Sequence, residues 1–402
     1  MSLIAKRLQT VKPSPTLAIA AKAKELTMQG INIISLAAGE PDFDTPDNIK
    51  LAAIEGIKNG ATKYTMVSGT PELRKAVCEK FKHENELDYK IDEVIVSTGG
   101  KQVIYNLFMA TIDEGDEVII PAPYWVSYPD MVLLAGGTPV FVSSDMANGF
   151  KALTKEIEKA ITKKSKWLIL NSPSNPSGAA YTKQELIEIA ELVRKYPHLH
   201  VMSDDIYEHI TFDDFKFTTL ATVAPDLKDR IFIVNGVSKT YSMTGWRIGY
   251  GAGNKSIIKA MDVIQSQSTS NPSSISQIAA LEAISGPQDY IKTNTENFQK
   301  KRDLVLSMLL KIKGLDCYKS EGAFYLFPKC SDLFGKVTPR GDKINSSSDL
   351  ATYLLEEANV AVVPGIAFGL EGYFRISYAT SSELLTEACN RMAHAISKLK
   401  TT

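Results

Sequence analysis

Short apolar runs alternate with amphipathic helical segments between about residues 46 and 287, and this alternation constrains the fold more than any other feature. Strands of a parallel sheet are apolar on both faces, and a crossover, usually a helix, joins neighbouring parallel strands. The pattern therefore predicts an α/β fold with a large domain whose seven-stranded, mainly parallel sheet is flanked by helices. The predicted strands are residues 94–96, 118–120, 140–142, 167–170, 200–202, 231–234 and 248–251.

The remaining sequence predicts a smaller α+β domain. A long helical pattern over residues 288–313 leads to strand-like runs at 323–327, 360–365 and 373–378. An apolar run at 33–38 closes the N-terminal part, which we assign to the same domain. We predict an N-terminal arm with part of the small domain over residues 1–45, a large domain over 46–287, and an interdomain helix with the small C-terminal domain over 288–402.

The composition excludes several classes of protein. The chain has 45 Lys and Arg against 46 Asp and Glu, so it lacks the basic field that non-specific nucleic-acid binding requires. No apolar run reaches the roughly 18 residues of a membrane helix, and the N-terminus does not resemble a secretory signal. The 4 cysteines and 5 histidines show no metal-ligand spacing. We expect a cytoplasmic protein that binds no nucleic acid, membrane or metal.

Lys239 is the first candidate for chemistry, because it follows the predicted strand 231–234 at the edge of the sheet where ligands bind. A lysine amine becomes nucleophilic when its pKa falls well below about 10.4, and an imine with pyridoxal phosphate captures such an amine covalently. Ser238 and Arg247 lie close enough in sequence to bind the phosphate of that cofactor. Most lysines are solvated surface residues, so the hypothesis depends on the residues around it.

Two further strand ends offer what such a cofactor needs. Gly99 and Gly100 stand between a predicted strand and a helix, where backbone N–H groups and the helix dipole favour a phosphate. Asp204 follows the fifth predicted strand and could hold the cofactor's ring nitrogen protonated. Taken singly, the glycines are also typical of a turn and the aspartate of a helix cap.

Four other residues complete the predicted site. Asn175 and Tyr207 could hydrogen-bond to the ring oxygen, and Trp125 could stack on the ring, although a turn and core packing are the ordinary explanations. Arg375 lies within an apolar strand, where a guanidinium is costly to bury without an anion. A structural acid or a substrate carboxylate would supply that anion.

Seven segments carry a family resemblance that spans essentially the whole chain. They are SKTYSMTGWRIGY, NSPSNPSG, SDDIY, AAGEPDFDTP, KYTMVSGTPELR, PAPYWVSYP and FRISYA. Together they resemble the fold-type I, class I pyridoxal-phosphate-dependent aminotransferases. Within that family the chain is most similar to the bacterial aspartate and prephenate aminotransferase branch. Each segment alone is a weak signal, and their joint occurrence is specific.

The resemblance implies a role for each site residue. Lys239 would form the covalent imine with pyridoxal 5′-phosphate and move the proton between the substrate α-carbon and the cofactor, with Asp204 and Tyr207 as the other catalytic residues. The implied cofactor-binding residues are Gly99, Gly100, Lys101, Trp125, Asn175, Asp204, Tyr207, Ser238, Lys239, Arg247 and Tyr64. The implied substrate-binding residues are Gly39, Trp125, Asn175, Arg375, Lys101 and Lys12.

Three of these assignments decide the substrate and the assembly. Lys101 matches the lysine that recognises the second carboxylate of aspartate or glutamate in this branch. Lys12 stands where members that accept prephenate carry a basic residue, and an ordinary solvated lysine is an equal alternative. Tyr64 matches a tyrosine that reaches the phosphate of the neighbouring subunit, which implies a homodimer with active sites at its interface.

The implied activity is ping-pong transamination of small-molecule amino acids and 2-oxo acids. L-Aspartate and 2-oxoglutarate would give oxaloacetate and L-glutamate, and prephenate would give arogenate. Another class I transaminase or a β-lyase acting on aromatic or aliphatic amino acids shares the catalytic residues, but the cationic Lys101 favours dicarboxylates. An NAD-dependent dehydrogenase would need a Gly-x-Gly-x-x-Gly turn, which is missing. A transcription regulator would need an added DNA-binding domain, for which we expect no room before Gly39.

Overall fold

The computed structural model describes residues 3–11 and 15–401, so Lys12 lies outside the described residues. The strands within this range are β1 (Ile34–Ser35), β2 (Val94–Ser97), β3 (Glu117–Ala122), β4 (Thr138–Ser143), β5 (Ser165–Asn171), β6 (His200–Asp204), β7 (Ile231–Gly236), β8 (Gly249–Ala252), β9 (Tyr325–Leu326), β10 (Val360–Ala361), β11 (Val363–Pro364) and β12 (Phe374–Ser377).

The α-helices of the same range are α1 (Pro15–Met28), α2 (Asp47–Lys58), α3 (Pro71–Asn85), α4 (Gly100–Thr111), α5 (Ser127–Leu134), α6 (Thr154–Ala160), α7 (Lys183–Lys195), α8 (Leu220–Val223), α9 (Lys255–Ser266), α10 (Ser274–Ser285), α11 (Asp289–Leu309), α12 (Ser347–Glu357) and α13 (Ser382–Ser397). Local sequence explains several starts. The Thr70 hydroxyl accepts from the Leu73 amide at 3.3 Å, and Thr182 forms a capping box with Glu185. No helix in the described range has the length and apolar character needed to span a membrane.

The central sheet has seven strands in the order β2-β8-β7-β6-β5-β3-β4. These are the seven predicted strands, with ends that differ by at most two residues, so the predicted fold class is confirmed. Strand β8 is antiparallel to both of its neighbours, and the other pairs are parallel. The reason is the connection from β7 to β8, residues 237–248, which contains only a 3₁₀ turn and no crossover helix.

The C-terminal strands form two small sheets apart from the central one. Strands β11, β12 and β9 make an antiparallel sheet, and β1 from the N-terminal part pairs in parallel with β10. Strand β9 is shorter than the predicted run 323–327, and at its start this is because Ala323 has a φ of 58°, which a strand residue does not adopt. The division into residues 1–45, 46–287 and 288–402 stays a prediction.

The packing places the edge of the central sheet against the C-terminal part. Apolar residues cover both faces of the central sheet, and another core gathers α11, α12, α13, β9 and β12. In the register of the sheet, Asn171 pairs with Asp204, and Asp204 pairs with Val234. Strands β5 and β6 therefore end level, β7 extends two residues further to Gly236, and the residues that follow the three strands meet at one edge.

Candidate active site

Lys239 lies in the β7–β8 connection and is half-buried. Its Nζ donates to the Gly39 carbonyl at 2.6 Å and lies 5.9 Å from the ring centre of Tyr207 and 5.8 Å from that of Phe324. Burial, and secondly the positive charge of Arg375, lower the pKa of Lys239 to about 8. With this pKa, roughly a tenth of the amine is neutral and nucleophilic at pH 7.

Asp204 is a buried carboxylate at the end of β6. Its Oδ2 accepts from the Tyr128 hydroxyl at 2.6 Å, and its Oδ1 accepts from the Ile206 amide at 3.4 Å. Burial raises the pKa of Asp204 to about 6, although both hydrogen bonds oppose the rise. Among the described residues it forms no ion pair, so a cationic group placed beside it would be stabilised.

Arg375 on β12 is a buried cation without a carboxylate partner in the described part of the chain. Its Nη1 donates to the Asn175 side-chain oxygen at 2.9 Å and its Nη2 to the Ala37 carbonyl at 2.6 Å, while its Nε has no hydrogen-bond partner there. Burial lowers the pKa of Arg375, and the ring centre of Tyr325 lies 4.7 Å from its guanidinium carbon. This arrangement favours a ligand that brings a carboxylate.

Gly99, Gly100 and Arg247 form a cradle between β2, α4 and β8. Gly99 has a φ of 85°, and a Cβ atom there would lie 2.3 Å from the Arg247 Nη2. A Cβ at Gly249 would lie 2.2 Å from the Gly100 nitrogen, so the backbones approach as closely as glycine permits. Helix α4 starts at Gly100, and its free N–H groups beside the exposed guanidinium suit an anion such as phosphate.

Lys101 and Trp125 meet at the same edge of the sheet. The Lys101 Nζ lies 5.0 Å from the centre of the Trp125 ring, a cation–π distance, although the residue as a whole is exposed. Desolvation of the amine, and secondly the charge of Arg247, lower the pKa of Lys101. The Lys101 side chain therefore extends over the indole ring of Trp125.

The structure brings most of the predicted residues together at this edge. Ser238 is buried beside Lys239, and the Tyr207 hydroxyl hydrogen-bonds to that of Tyr325 at 2.8 Å. Tyr64 is 92% exposed, and its predicted contact with a second subunit stays a prediction. Lys12 is outside the described residues, and the roles assigned to the individual residues also stay predictions.

Three residues of the site do not appear among the sequence predictions. Tyr128 contacts Asp204, and Tyr325 contacts both Tyr207 and Arg375. Asn171 donates to the Asp204 carbonyl at 2.9 Å and accepts from the amide of Asn175 at 2.8 Å. The spacing of Tyr128, three residues after Trp125 at a helix start, is the signal that could have indicated it.

His209 belongs to a separate polar cluster behind the Lys239 loop. Ligand atoms of Glu84, Glu208 and His209 lie within 4.8 Å of one another, a grouping that the sequence did not indicate. Lys80, however, is ion-paired with Glu208 and lies 3.3 Å from the Glu84 carboxylate. The chain itself therefore supplies the cation of this cluster.

Comparison with known proteins gives the family. The family described as "Aminotransferase class I and II" matches residues 31–392. The chain belongs to the class I and II aminotransferases. This confirms the resemblance and the expected enzyme class. A "Probable aspartate/prephenate aminotransferase" of Rickettsia felis is 68% identical to this aminotransferase over 98% of this chain and 97% of the relative. The "Aspartate/prephenate aminotransferase" of Cereibacter sphaeroides is 58% identical over 98% of both chains.

Solved structures agree with this assignment. The aspartate aminotransferase from Rhizobium meliloti has a TM-score of 0.97 and 52% identity to this aminotransferase, and all of both chains is covered. The aspartate aminotransferase from Thermus thermophilus with maleate has a TM-score of 0.92 and 42% identity, with 98% of this chain and 100% of the other covered. The predicted fold-type I architecture is confirmed.

The family implies pyridoxal phosphate, and the residues of this aminotransferase fit that group. The lowered pKa of Lys239 suits an aldehyde, and the glycine cradle beside Arg247 suits a phosphate. The buried carboxylate of Asp204, which has no ion-pair partner in the described part of the chain, suits a cationic ring nitrogen. These features lie on elements that meet at one edge of the central sheet.

Proposed function

We propose that this aminotransferase transfers the amino group of L-aspartate to 2-oxoglutarate in two half-reactions, giving oxaloacetate and L-glutamate, and that it also accepts prephenate to give arogenate. The names of the relatives support both activities. The observation that carries the proposal is the pair of cations, Arg375 and Lys101, at the site that contains Lys239. Two cations are what a dicarboxylic substrate requires.

In this proposal the chain binds pyridoxal 5′-phosphate through residues of the central sheet. Gly99, Gly100, Ser238 and Arg247 would hold the phosphate, Lys239 would be the covalent attachment point, and Asp204 would face the ring nitrogen. When bound, the cofactor supplies an electron-withdrawing ring that delocalises the electron pair left by cleavage of the substrate Cα–H bond.

Arg375 would orient the substrate before any proton moves. Its Nε is free to donate, and Asn175 and Ala37 hold the other two nitrogens, so the guanidinium plane is fixed before the ligand arrives. A fixed fork matches the geometry of an α-carboxylate, which places the substrate Cα in one position.

Lys239 would then move the proton. With a pKa lowered to about 8, its Nζ can accept a proton from the substrate Cα and return one at moderate driving force. The Gly39 carbonyl, which accepts from Nζ at 2.6 Å, orients the amine. Burial keeps the pKa of Tyr207 far above its usual value, so its phenol remains a neutral hydrogen-bond donor toward the cofactor's ring oxygen.

Lys101 would bind the second carboxylate of aspartate or 2-oxoglutarate. Its contact with Trp125 partly removes water from the amine, which strengthens the attraction to an incoming anion. Lys12, if it faces the same pocket, would contribute to the binding of prephenate. An aromatic or aliphatic substrate would gain nothing from the positive charge of Lys101.

We further propose a homodimer with Tyr64 reaching the phosphate bound by the partner subunit. Large apolar side chains are exposed on α2 and near Tyr64, and a second copy would cover them: Leu51, Ile54, Ile57 and Met66. Tyr64 itself is 92% exposed in the single chain. The free thiols of all four cysteines support a reducing compartment, and we propose a cytoplasmic location.

Single half-reactions test the proposed function. Purified protein is mixed with pyridoxal phosphate, and the visible absorption band is followed after addition of aspartate, glutamate or alanine. We expect the band to shift rapidly with aspartate and glutamate, slowly with alanine, and to return when 2-oxoglutarate or prephenate is added. No response to aspartate, or an equally fast response to alanine, would reject the proposed substrate class.

A further inference from the structure

We propose that Tyr128 is a positioning residue for the proposed reaction: its hydroxyl keeps the Asp204 carboxylate ionised and oriented, and its ring fixes the position of Trp125. The inference rests on the proposed function, because it concerns the side chains that would contact the cofactor ring. It adds a buried residue that stands between two of them.

The contact with Asp204 is short and enclosed. Tyr128 is 1% exposed, lies at the second position of α5, and donates from its Oη to the Asp204 Oδ2 at 2.6 Å. A hydroxyl that donates to a carboxylate is a charge-assisted hydrogen bond, which is about twice as strong as a neutral one. Burial, and then the charge of Asp204, raise the pKa of Tyr128 well above its usual value, so the phenol stays the donor.

This hydrogen bond is the main contact that opposes burial and keeps Asp204 ionised, followed by the Ile206 amide and the positive charge of Lys239. Burial has already raised the pKa of the carboxyl to about 6 with the Tyr128 hydroxyl in place. Without that donor, the ionised form would lose its closest hydrogen bond, and the carboxyl would be partly protonated at neutral pH. A protonated Asp204 cannot balance a cationic ring nitrogen.

The same side chain also reaches Trp125. The two ring centres are 5.3 Å apart with an interplanar angle of 84°, and the Tyr128 amide donates to the Trp125 carbonyl at 3.0 Å. An edge-to-face contact of this kind restricts the tilt of the indole. The Lys101 amine in turn lies over the Trp125 ring. One tyrosine thus connects the residue predicted to lie against the ring nitrogen with the residue predicted to stack on the ring.

Tyr181 offers a matched control. It is a buried tyrosine that lines the same small cavity of about 20 Å³ as Tyr128. Its hydroxyl does not donate to the Asp204 carboxylate, which accepts from the Tyr128 hydroxyl and the Ile206 amide. Removing either phenolic oxygen leaves a comparable defect in the packing, but Y128F alone removes the donor to the carboxylate.

The test compares wild type, Y128F and Y181F in two measurements. The first is the titration of Asp204 in cofactor-free protein, followed by isotope-edited infrared spectroscopy with D204N to assign the band. The second is the dissociation constant of pyridoxal phosphate at several pH values. We expect Y128F to raise the pKa of Asp204 by about one pH unit or more and to weaken cofactor binding about 10- to 100-fold at neutral pH, with Y181F near wild type.

Several outcomes would overturn the inference. An unchanged titration of Asp204 in Y128F rejects it, and so does an equal loss of cofactor affinity in Y181F. If Y128F does not fold, a fluorinated tyrosine at position 128 replaces it: this residue keeps the shape and is a stronger donor, so it should lower the pKa of Asp204, and an unchanged pKa rejects the inference. Failure of the wild type to bind pyridoxal phosphate would instead reject the proposed function, while the infrared titration would still test the contact.

Discussion

Replacing Arg375 is the sharpest test of how the substrate is held. In R375K the cation remains, but a lysine has one nitrogen where the arginine has three. The native guanidinium already uses Nη1 for Asn175 and Nη2 for the Ala37 carbonyl, and its Nε is free. A lysine at this position cannot keep both protein contacts and also present a fork to a carboxylate.

The expected loss follows from the hydrogen bonds involved. One charge-assisted hydrogen bond contributes about 1.5–3 kcal/mol, so R375K should lower kcat/KM for aspartate by about 10- to 150-fold. Removing the cation altogether in R375A leaves a carboxylate without its partner in a buried site, which costs about 3–5 kcal/mol. The corresponding loss in kcat/KM is about 150- to 5,000-fold.

The assay separates binding from folding. Affinity for succinate, an unreactive dicarboxylate, is measured for the cofactor-loaded protein from the change in its absorption spectrum, together with kcat/KM for aspartate. R302K is the matched control, because Arg302 is a fully buried arginine that is paired with Asp213 and Asp303. It should lower the thermal stability and leave succinate affinity within about threefold of wild type.

Two results would refute this reasoning. If R375K binds succinate as tightly as wild type, the free Nε of Arg375 is not the carboxylate donor. If R302K loses as much affinity as R375K, the effect comes from the packing of the C-terminal core and not from a contact with the substrate.

Other substitutions test the rest of the site. K101A should lower kcat/KM for aspartate about 10- to 100-fold and that for alanine less than about threefold in half-reactions; equal losses would contradict its role. G99A should weaken pyridoxal phosphate binding at least about tenfold, because its Cβ would lie 2.3 Å from the Arg247 Nη2. G60A is the control: Gly60 also has a positive φ, but no atom lies within 4 Å of its Cβ position, so this variant should bind normally in the same titration. The rate of cofactor attachment should rise with pH around a midpoint of about 8, where Lys239 loses its proton, and a midpoint near 10 would disprove the effect of burial. Urea unfolding of the cofactor-free protein is also compared with that of K239M. The free energy of unfolding of wild type relative to K239M should rise from about pH 8 to about pH 10.4, because only the unfolded lysine keeps its proton in that range. A fall would refute this sign.

The sequence predicted the central sheet well because most of its strands are buried and rich in apolar residues, and even the partly exposed edge strand β4 contains the apolar run at residues 140–142. It also predicted Lys239 and Asp204 at or just after strand ends, where the structure has them and where ligands gather in such sheets. It did not predict the direction of β8 or the length of β9, which depend on the β7–β8 connection and on the positive φ of Ala323. Both are properties of the backbone path that apolar periodicity does not record.

Contacts between distant residues were also beyond the sequence pattern. Arg375 and Asn175 are 200 positions apart, and each was a candidate on its own, but nothing in their spacing indicated that one would fix the other. Tyr128 was missed because a tyrosine near a tryptophan is typical of ordinary core packing. Its spacing from Trp125 is a weak signal, and its hydroxyl, 2.6 Å from Asp204, is what shows in the structure that it belongs to the site.

Some buried charges of this chain are balanced by a neighbour in the chain, and two that are not lie together at the proposed site. Lys80 with Glu208, and Arg302 with Asp213, are pairs in which each charge is balanced by a neighbour in the chain. Arg375 and Asp204, by contrast, are buried and form no ion pair among the described residues, and the charges of both act on Lys239. Arg74 and Asp205 are also buried without an ion pair in this range, so it is the position beside Lys239 that distinguishes the first two. A buried charge without a partner costs free energy in the folded protein, so two such charges of opposite sign at one site favour a ligand that supplies both missing charges. The arginine calls for a carboxylate and the aspartate for a cation, and a dicarboxylic substrate together with a protonated pyridine ring would provide both.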